Sequence, residues 1–478
     1  MNNLLFFVFS LLSIAVLSQE NCSCSTELDF VIDYYERNLP GFKDNVTSKT
    51  KAYYDNLKED LRRASKKADN KLACFKVLTY YVEFFKDNHS SIRMYFPPID
   101  EKDPNQLDIF YKSKIYNSRE FYALHKDELK QYPIDDIRGI YQTKDSAYTI
   151  AVIQNKNTLR DYIGVIVESK SKLWKPGHVK LEIKKGASGQ YEAFVYLRNH
   201  AVQFYNKFEF KEGILGHNWF KTSLAKKVNQ AVDVTRSYEF KKINDSIAYL
   251  KIPTFSGARS AKIDSLYQKA FPEIRKTKYL IVDLRNNGGG SDGNALPLLE
   301  FMYTNPIKGD KVDLYVTKDN IKVWKDWYED AKKDTLNYSK DDVAWFKAQV
   351  DMQEKAKLNT FIPRSKGGKL RRKFKKNKVE KVALLYNRFC GSSCETPLFW
   401  AMQSDKTILV GENSGGYVGY GEIGSVKTPC YQFTLGCTMT RYREHRKFEA
   451  TGIPPDVYLS NKSDWITQTI EVLTKEQD

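Results

Sequence analysis

The sequence predicts an α/β protein whose strand–helix–strand core is preceded by a helical N-terminal region and an intervening β-rich domain. Three observations carry this prediction. Apolar residues recur at three- and four-residue spacing early in the chain. Short β-branched and aromatic runs separated by Asn-, Lys- and Gly-rich turns fill its middle. Buried-type strands then alternate with helices to the end. The chain has 478 residues, 41% hydrophobic and 28% charged, with 25 Gly and 15 Pro, which excludes a collagen-like, low-complexity or disordered protein. An aromatic share of 14%, with 31 Tyr, favours well-packed β-rich units.

Leu4 to Leu17 is an almost unbroken apolar run that ends at Ser18. It is shorter than the roughly 18–20 residues of a spanning helix and reads as a secretory signal peptide over residues 1–18. No Lys or Arg precedes it, and an uncleaved anchor is the alternative. Gln19-Glu20-Asn21 before Cys22 lacks the small residues of a lipoprotein site. Residues 19–99 form the helical region: Leu28, Val31 and Tyr35, then Leu57 and Leu61, then Val77, Leu78, Tyr81, Val82 and Phe85 keep the helical period. This region ends in the polar loop Asp87-Asn88-His89 and a short strand from Ile92. Residues 100–235 are the β-rich domain, barrel-like or sandwich-like. Residues 236–478 are the α/β core, with strands at Ile247–Ile252, Tyr279–Leu284, Val382–Leu385 and Thr407–Val410, helices at Ile263–Ala270 and Glu395–Met402, and a closing helix Trp465–Leu473. A charged, partly helical insertion interrupts the core at about 305–378.

The formal charge is +17, densest over Lys366–Lys381. No aromatic-interleaved motif accompanies this run, so it reads as a solvated loop with a capacity for surface association rather than as a nucleic-acid site. Export permits disulfides. Seven cysteines leave at least one unpaired. Cys430 and Cys437 flank a hairpin they could bridge, and Cys390 and Cys394 bracket a Gly-Ser-Ser turn. No Cys/His spacing suits zinc, and the sequence calls for no metal or cofactor.

Three segments compete as the site of chemistry. Asn287-Gly288-Gly289-Gly290-Ser291-Asp292-Gly293 fits the letters of a dinucleotide-binding turn and of a nucleophile elbow. The acidic strand expected beyond a dinucleotide turn is missing. Six residues, Arg285 to Gly290, also separate Ser291 from the strand end, where an elbow needs it at the tip. A turn presenting backbone N–H groups to an oxyanion fits better. Cys390-Gly391-Ser392-Ser393-Cys394-Glu395 follows a strand and opens a helix, where a serine oxygen is exposed to a helix N-terminus. The alternatives there are a capping box from Ser392 to Glu395 and Cys394 as nucleophile. His89 is the third, a loop histidine; His445, among Arg443, Glu444, Arg446 and Lys447, reads as solvated.

Taken in order, Asp283-Leu284-Arg285-Asn286-Asn287-Gly288-Gly289-Gly290, Gly391-Ser392-Ser393-Cys394-Glu395, Gly411-Glu412-Asn413-Ser414-Gly415-Gly416 and Glu449-Ala450-Thr451-Gly452-Ile453-Pro454-Pro455-Asp456 resemble the signatures of the C-terminal processing (tail-specific) serine peptidases. The resemblance spans about 236–478 outside the insertion and reaches back to Asp87 and His89. It implies a ClpP/crotonase-like catalytic core with Ser392 as nucleophile. The family's Ser-Lys branch carries a lysine where Tyr417 stands here, so the resemblance is closer to the tricorn-type branch, which draws its base from an upstream histidine. That implies His89 as base, Glu449 as supporting carboxylate, and the backbone N–H groups of Ser393 and of Gly289 or a neighbouring glycine as the oxyanion hole. Asn88 stands where the family often has Ser beside this histidine, and the family's regulatory PDZ module is not evident. The expectation is an exported, periplasmic or extracellular serine endopeptidase acting on peptides or unfolded proteins, without nucleic-acid partners. The alternative is a non-catalytic protein of the same fold that binds hydrophobic or peptide ligands.

Overall fold

The computed structural model describes residues 22–157, 160–186, 190–216, 218–225, 237–336, 338–460 and 464–475; the signal segment 1–18 lies outside them. No helix among the described residues is long and apolar enough to cross a membrane.

The helical region packs Cys24–Asn38, Lys51–Ser65 and Lys71–Glu83 together. Ser23 caps the first by accepting from the Thr26 amide, and Asn70 caps the third by accepting from that of Ala73. Leu28, Val31, Tyr35, Leu78, Tyr81 and Phe85 are buried between them. The next segment opens with a helix rather than a strand, Pro104–Lys112, signalled by Asp103 at the N-cap and Pro104 just inside it. Strands begin at Gly139 and form one nine-stranded antiparallel sheet, mostly a meander, whose two end strands, Val202–Tyr205 and Phe210–Lys211, do not pair with each other. The helices and this sheet share one continuous core, in which Phe75 and Leu78 lie with Ile150, Leu181 and Phe194.

The C-terminal half is built on a six-stranded sheet in the order Glu239–Lys242, Ile247–Lys251, Tyr279–Asp283, Lys381–Tyr386, Thr407–Gly411, Val457–Tyr458. All pairs except the first are parallel. Alternate residues serve opposite faces. Ala248, Leu250, Leu280, Val282, Val382 and Leu384 face the layer of helices Ser260–Ile274 and Thr396–Ala401. Ile247, Tyr249, Ile281, Ala383 and Leu385 face the closing helix Trp465–Thr474. Both faces are covered, so these strands read as continuous apolar runs.

The insertion is partly helical, as expected, but also carries two strands not expected from the sequence. It is strand–helix–helix–strand: Ile307–Val316, Lys318–Lys333, Lys340–Glu354 and Thr360–Leu370. The two strands pair antiparallel over most of their length, and their Lys and Gly residues hide the alternation. They join Thr434–Tyr442 and Tyr420–Lys427 in a second sheet. At its other edge Ser91–Arg93 pairs with Thr434–Tyr442, setting Ile92 opposite Leu435. That pairing brings the Asp87–His89 loop onto the C-terminal half.

Two disulfides tie the N-terminus down, Cys22–Cys430 and Cys24–Cys74. The Cys430–Cys437 bridge suggested by the hairpin does not form: Cys430 pairs with Cys22, and Cys437 is a buried free thiol.

Candidate active site

Ser392 sits in the turn between the strand Lys381–Tyr386 and the helix Thr396–Ala401. Its φ is +57°, a left-handed conformation uncommon for a residue with a Cβ and concentrated at functional sites. The Ser392 amide donates to Glu395 Oε2 at 2.9 Å, and the Gly391 amide donates to the Asn287 carbonyl at 3.1 Å. Only half of the capping box forms. Glu395 accepts from the Ser392 amide, while the Ser392 hydroxyl has no hydrogen-bond partner among the described residues. The disulfide Cys390–Cys394 closes the turn around Ser392, so the Cys394 sulfur is not a free nucleophile.

Glu395 organises far more than a cap. Its carboxyl group is fully buried and accepts four hydrogen bonds: Ser414 Oγ at 2.5 Å and the Gly416 amide at 2.9 Å on Oε1, and the Ser392 and Tyr417 amides at 2.9 Å on Oε2. Burial raises its pKa and these four donors pull it back. One carboxyl group thereby ties the Ser392 turn to the Ser414–Tyr417 segment.

The Asp87–His89 loop is anchored as tightly. The buried Asp87 carboxyl accepts from Ser90 Oγ at 2.7 Å, Thr438 Oγ1 at 2.6 Å and the His89 amide at 3.1 Å. Asn88 donates through Nδ2 to the carbonyls of Gly415 and Gly416, and through its amide to Glu449 Oε1 at 2.8 Å. Glu449 Oε2 in turn accepts from the Val418 and Gly419 amides. Glu449 therefore clamps the backbone of the histidine loop to the strand that follows Tyr417 and makes no hydrogen bond to the imidazole. Burial, with Asp87 nearby, pushes its pKa up to about 8 against the pull of the three amides.

The His89 Nδ1 atom is buried with no partner among the described residues. Burial lowers the His89 pKa, while Asp87 and the Tyr420 backbone raise it, and the net lowering favours neutral imidazole, the form that accepts a proton. The Tyr417 ring packs edge-on against His89, centroids 5.3 Å apart. It fits because two glycines make room for it: a Cβ on Gly391 or on Gly415 would lie 2.9 Å from Tyr417 Cδ2.

The Gly-rich turn is locked to the Ser392 turn by side-chain amides. Asn387 Oδ1 accepts from the Asn286 amide at 3.0 Å, and Asn387 Nδ2 donates to Asn286 Oδ1 at 3.0 Å. Gly289, at φ +92°, approaches so closely that a Cβ would lie 2.5 Å from the Gly391 oxygen and 2.9 Å from Ser392 Cβ. Its amide, expected as an oxyanion donor, is already engaged: it donates to Asn287 Oδ1 at 2.9 Å. The neighbouring Gly290 amide and that of Ser393 have no partner among the described residues. Ser393 Oγ donates to the Gly290 carbonyl at 3.0 Å, holding the two together. Ser291 is spent as the cap of the following turn, its Oγ accepting from the Gly293 amide.

Ser392, Ser393, Gly290, His89 and Tyr417 line one cleft of about 1080 Å³. His445 lines it too, which corrects its reading as a solvated residue. Its ring stacks flat on Phe399, centroids 3.5 Å apart, and its Nδ1 lies 3.5 Å from Asp310 Oδ2. Nothing in the charged run around it signalled this, because the stacking partner is on another element. No group of three or more His, Cys, Asp and Glu residues among those described has metal-binding geometry.

Residues 246–459 match the profile of Peptidase family S41. No curated protein matches the sequence. Among solved structures, mature CPAF is 13% identical, covers 95% of this chain and 96% of its own, and superposes with a TM-score of 0.49. The photosystem II D1 C-terminal processing protease is 12% identical over 92% of this chain and 94% of its own, with a TM-score of 0.36. The tricorn protease is 12% identical and covers 94% of this chain and 36% of its own, also at 0.36. The family match takes in the parallel strands, the Gly-rich turn, Ser392 and Glu449, and over residues 246–459 the chain is similar to peptidase family S41, a likeness that makes it a serine-type peptidase.

Proposed function

We propose that the chain is an exported endopeptidase that cleaves peptides or unfolded proteins with Ser392 as nucleophile and His89 as base. The observation that carries this reading is the Ser392 hydroxyl, held at a left-handed backbone position without a partner, in the same cleft as a buried, proton-poor histidine with an unpartnered ring nitrogen.

In this mechanism His89 accepts the Ser392 proton as Oγ attacks the substrate carbonyl carbon, then donates it to the leaving amine. Water attacks the acyl-enzyme by the same route and frees the second product. No hydrogen bond joins Ser392 to His89 in the free protein, and catalytic contacts of this kind tighten when substrate binds. The amides of Ser393 and Gly290 receive the oxyanion, each worth about 3–4 kcal/mol of barrier. Glu449 is a positioning residue: it fixes the histidine loop through the Asn88 amide. The three disulfides support passage through an oxidising compartment.

The test is fluorophosphonate labelling of the chain lacking residues 1–18, with Ser392→Ala and His89→Ala as controls. Stoichiometric labelling abolished by both substitutions is expected. Label that survives Ser392→Ala, or a folded wild type that takes up none, overturns the assignment.

A further inference from the structure

The helical hairpin of the insertion carries an aromatic cluster inside a polar sequence. The rings of Trp324 and Trp327 are 5.1 Å apart, those of Trp324 and Trp345 5.7 Å, and those of Trp345 and Phe346 5.1 Å. Tyr338 lies 5.8 Å from Phe346. Packing between the two helices accounts for Trp324, which is fully buried, but Trp345 remains 44% exposed and Tyr338 39%. All five line the cleft that holds Ser392 and His89. The Trp324 indole Nε1 is buried with no hydrogen-bond partner among the described residues, whereas a buried indole N–H normally finds an acceptor. Asp330 and Asp342 stand in the same lining, so an acidic side chain would meet like charge there.

We propose that this hairpin is the substrate-selecting wall of the cleft: Trp327, Trp345 and Phe346 receive a large apolar or aromatic side chain of the peptide. The inference rests on Ser392 being the nucleophile of that cleft. Rings already set edge-to-face, as in these pairs, offer further edge-to-face and offset contacts to an incoming aromatic residue, and an alanine at the same position would leave them wet.

The experiment uses the protein lacking residues 1–18 and quenched fluorescent peptides identical except for Phe, Ala or Asp at one position near the cleaved bond. Scanning that position along the peptide should find one where Phe is strongly preferred and Asp is poorest. Trp345→Ala and Trp327→Ala should each lower kcat/KM for the Phe peptide about 10- to 100-fold and leave the Ala peptide within about twofold. A wild type without such a preference, or equal losses on both peptides, overturns the proposal. A second measurement separates it from the nucleophile assignment. The Ser392→Ala protein is titrated with the same peptides while tryptophan fluorescence is followed. A saturable change with the Phe peptide, absent with the Ala peptide and lost in Ser392→Ala/Trp345→Ala, supports the subsite even if no peptide is cleaved. Failure of selective binding overturns the subsite, whereas selective binding without turnover overturns only the role of Ser392.

Discussion

Replacing Glu395 by Gln tests whether one buried carboxyl group holds the Ser392 turn in place. The substitution keeps the shape and changes one oxygen into an NH2 group. Of the four donors converging on Glu395, two meet Oε1 and two meet Oε2. A glutamine can still accept at its single oxygen, but its nitrogen strands the amides it faces: those of Ser392 and Tyr417 if it replaces Oε2, and that of Gly416 alone if it replaces Oε1, because the Ser414 hydroxyl can turn to accept. Each stranded buried donor costs about 1–3 kcal/mol, so the loss is about 1–6 kcal/mol in all. If the nitrogen replaces Oε2, the Ser392 amide is released and the +57° backbone angle loses the hydrogen bond that this amide donates. A displacement of the hydroxyl of this kind lowers reactivity about 100-fold. The assay pairs urea denaturation, followed by circular dichroism, with the rate of fluorophosphonate labelling at one pH. A shift of the midpoint to lower urea together with slowed labelling is expected. A glutamine variant that unfolds at the wild-type midpoint and labels at the wild-type rate refutes the argument.

Further expectations follow from the same geometry. Gly289→Ala should abolish labelling with little change in circular dichroism, because its Cβ would press on the Gly391 carbonyl; Gly288→Ala, with nothing within 4 Å, should label normally, and equal behaviour of the two would contradict the close approach. Burial holds the His89 pKa below its ordinary 6.5, so the base is lost only as pH falls through that lowered value. The acid limb of kcat/KM should therefore have its midpoint below 6.5, and a midpoint above it argues against His89. Cys390→Ser/Cys394→Ser removes a bridge over a separation of four residues, a loop-closure contribution of about 2 kcal/mol. Labelling should slow while the far-UV spectrum is kept, and an unchanged labelling rate would show that the bridge does not hold the turn.

By itself the sequence determined the strand–helix core of the C-terminal half. Continuous apolar runs at Ile247–Lys251, Tyr279–Asp283 and Lys381–Tyr386, each followed by Gly, Ser or Pro punctuation, specify buried parallel strands from local chemistry alone. The strand–turn–helix setting of Ser392 is local in the same way. Only the tertiary structure decided the rest, because the partners are far apart in the chain. His89 reaches the cleft through the pairing of Ser91–Arg93 with Thr434–Tyr442. Cys430 bonds Cys22 rather than its neighbour in the hairpin, and His445 finds Phe399. The Gly289 amide shows the same limit at close range. A Gly-rich turn announces free N–H groups, but which of them is taken depends on where the Asn287 side chain lands. Periodicity reports which face of an element is apolar; which distant face covers it, and which donor stays free, is settled by packing and hydrogen-bond satisfaction over the whole molecule.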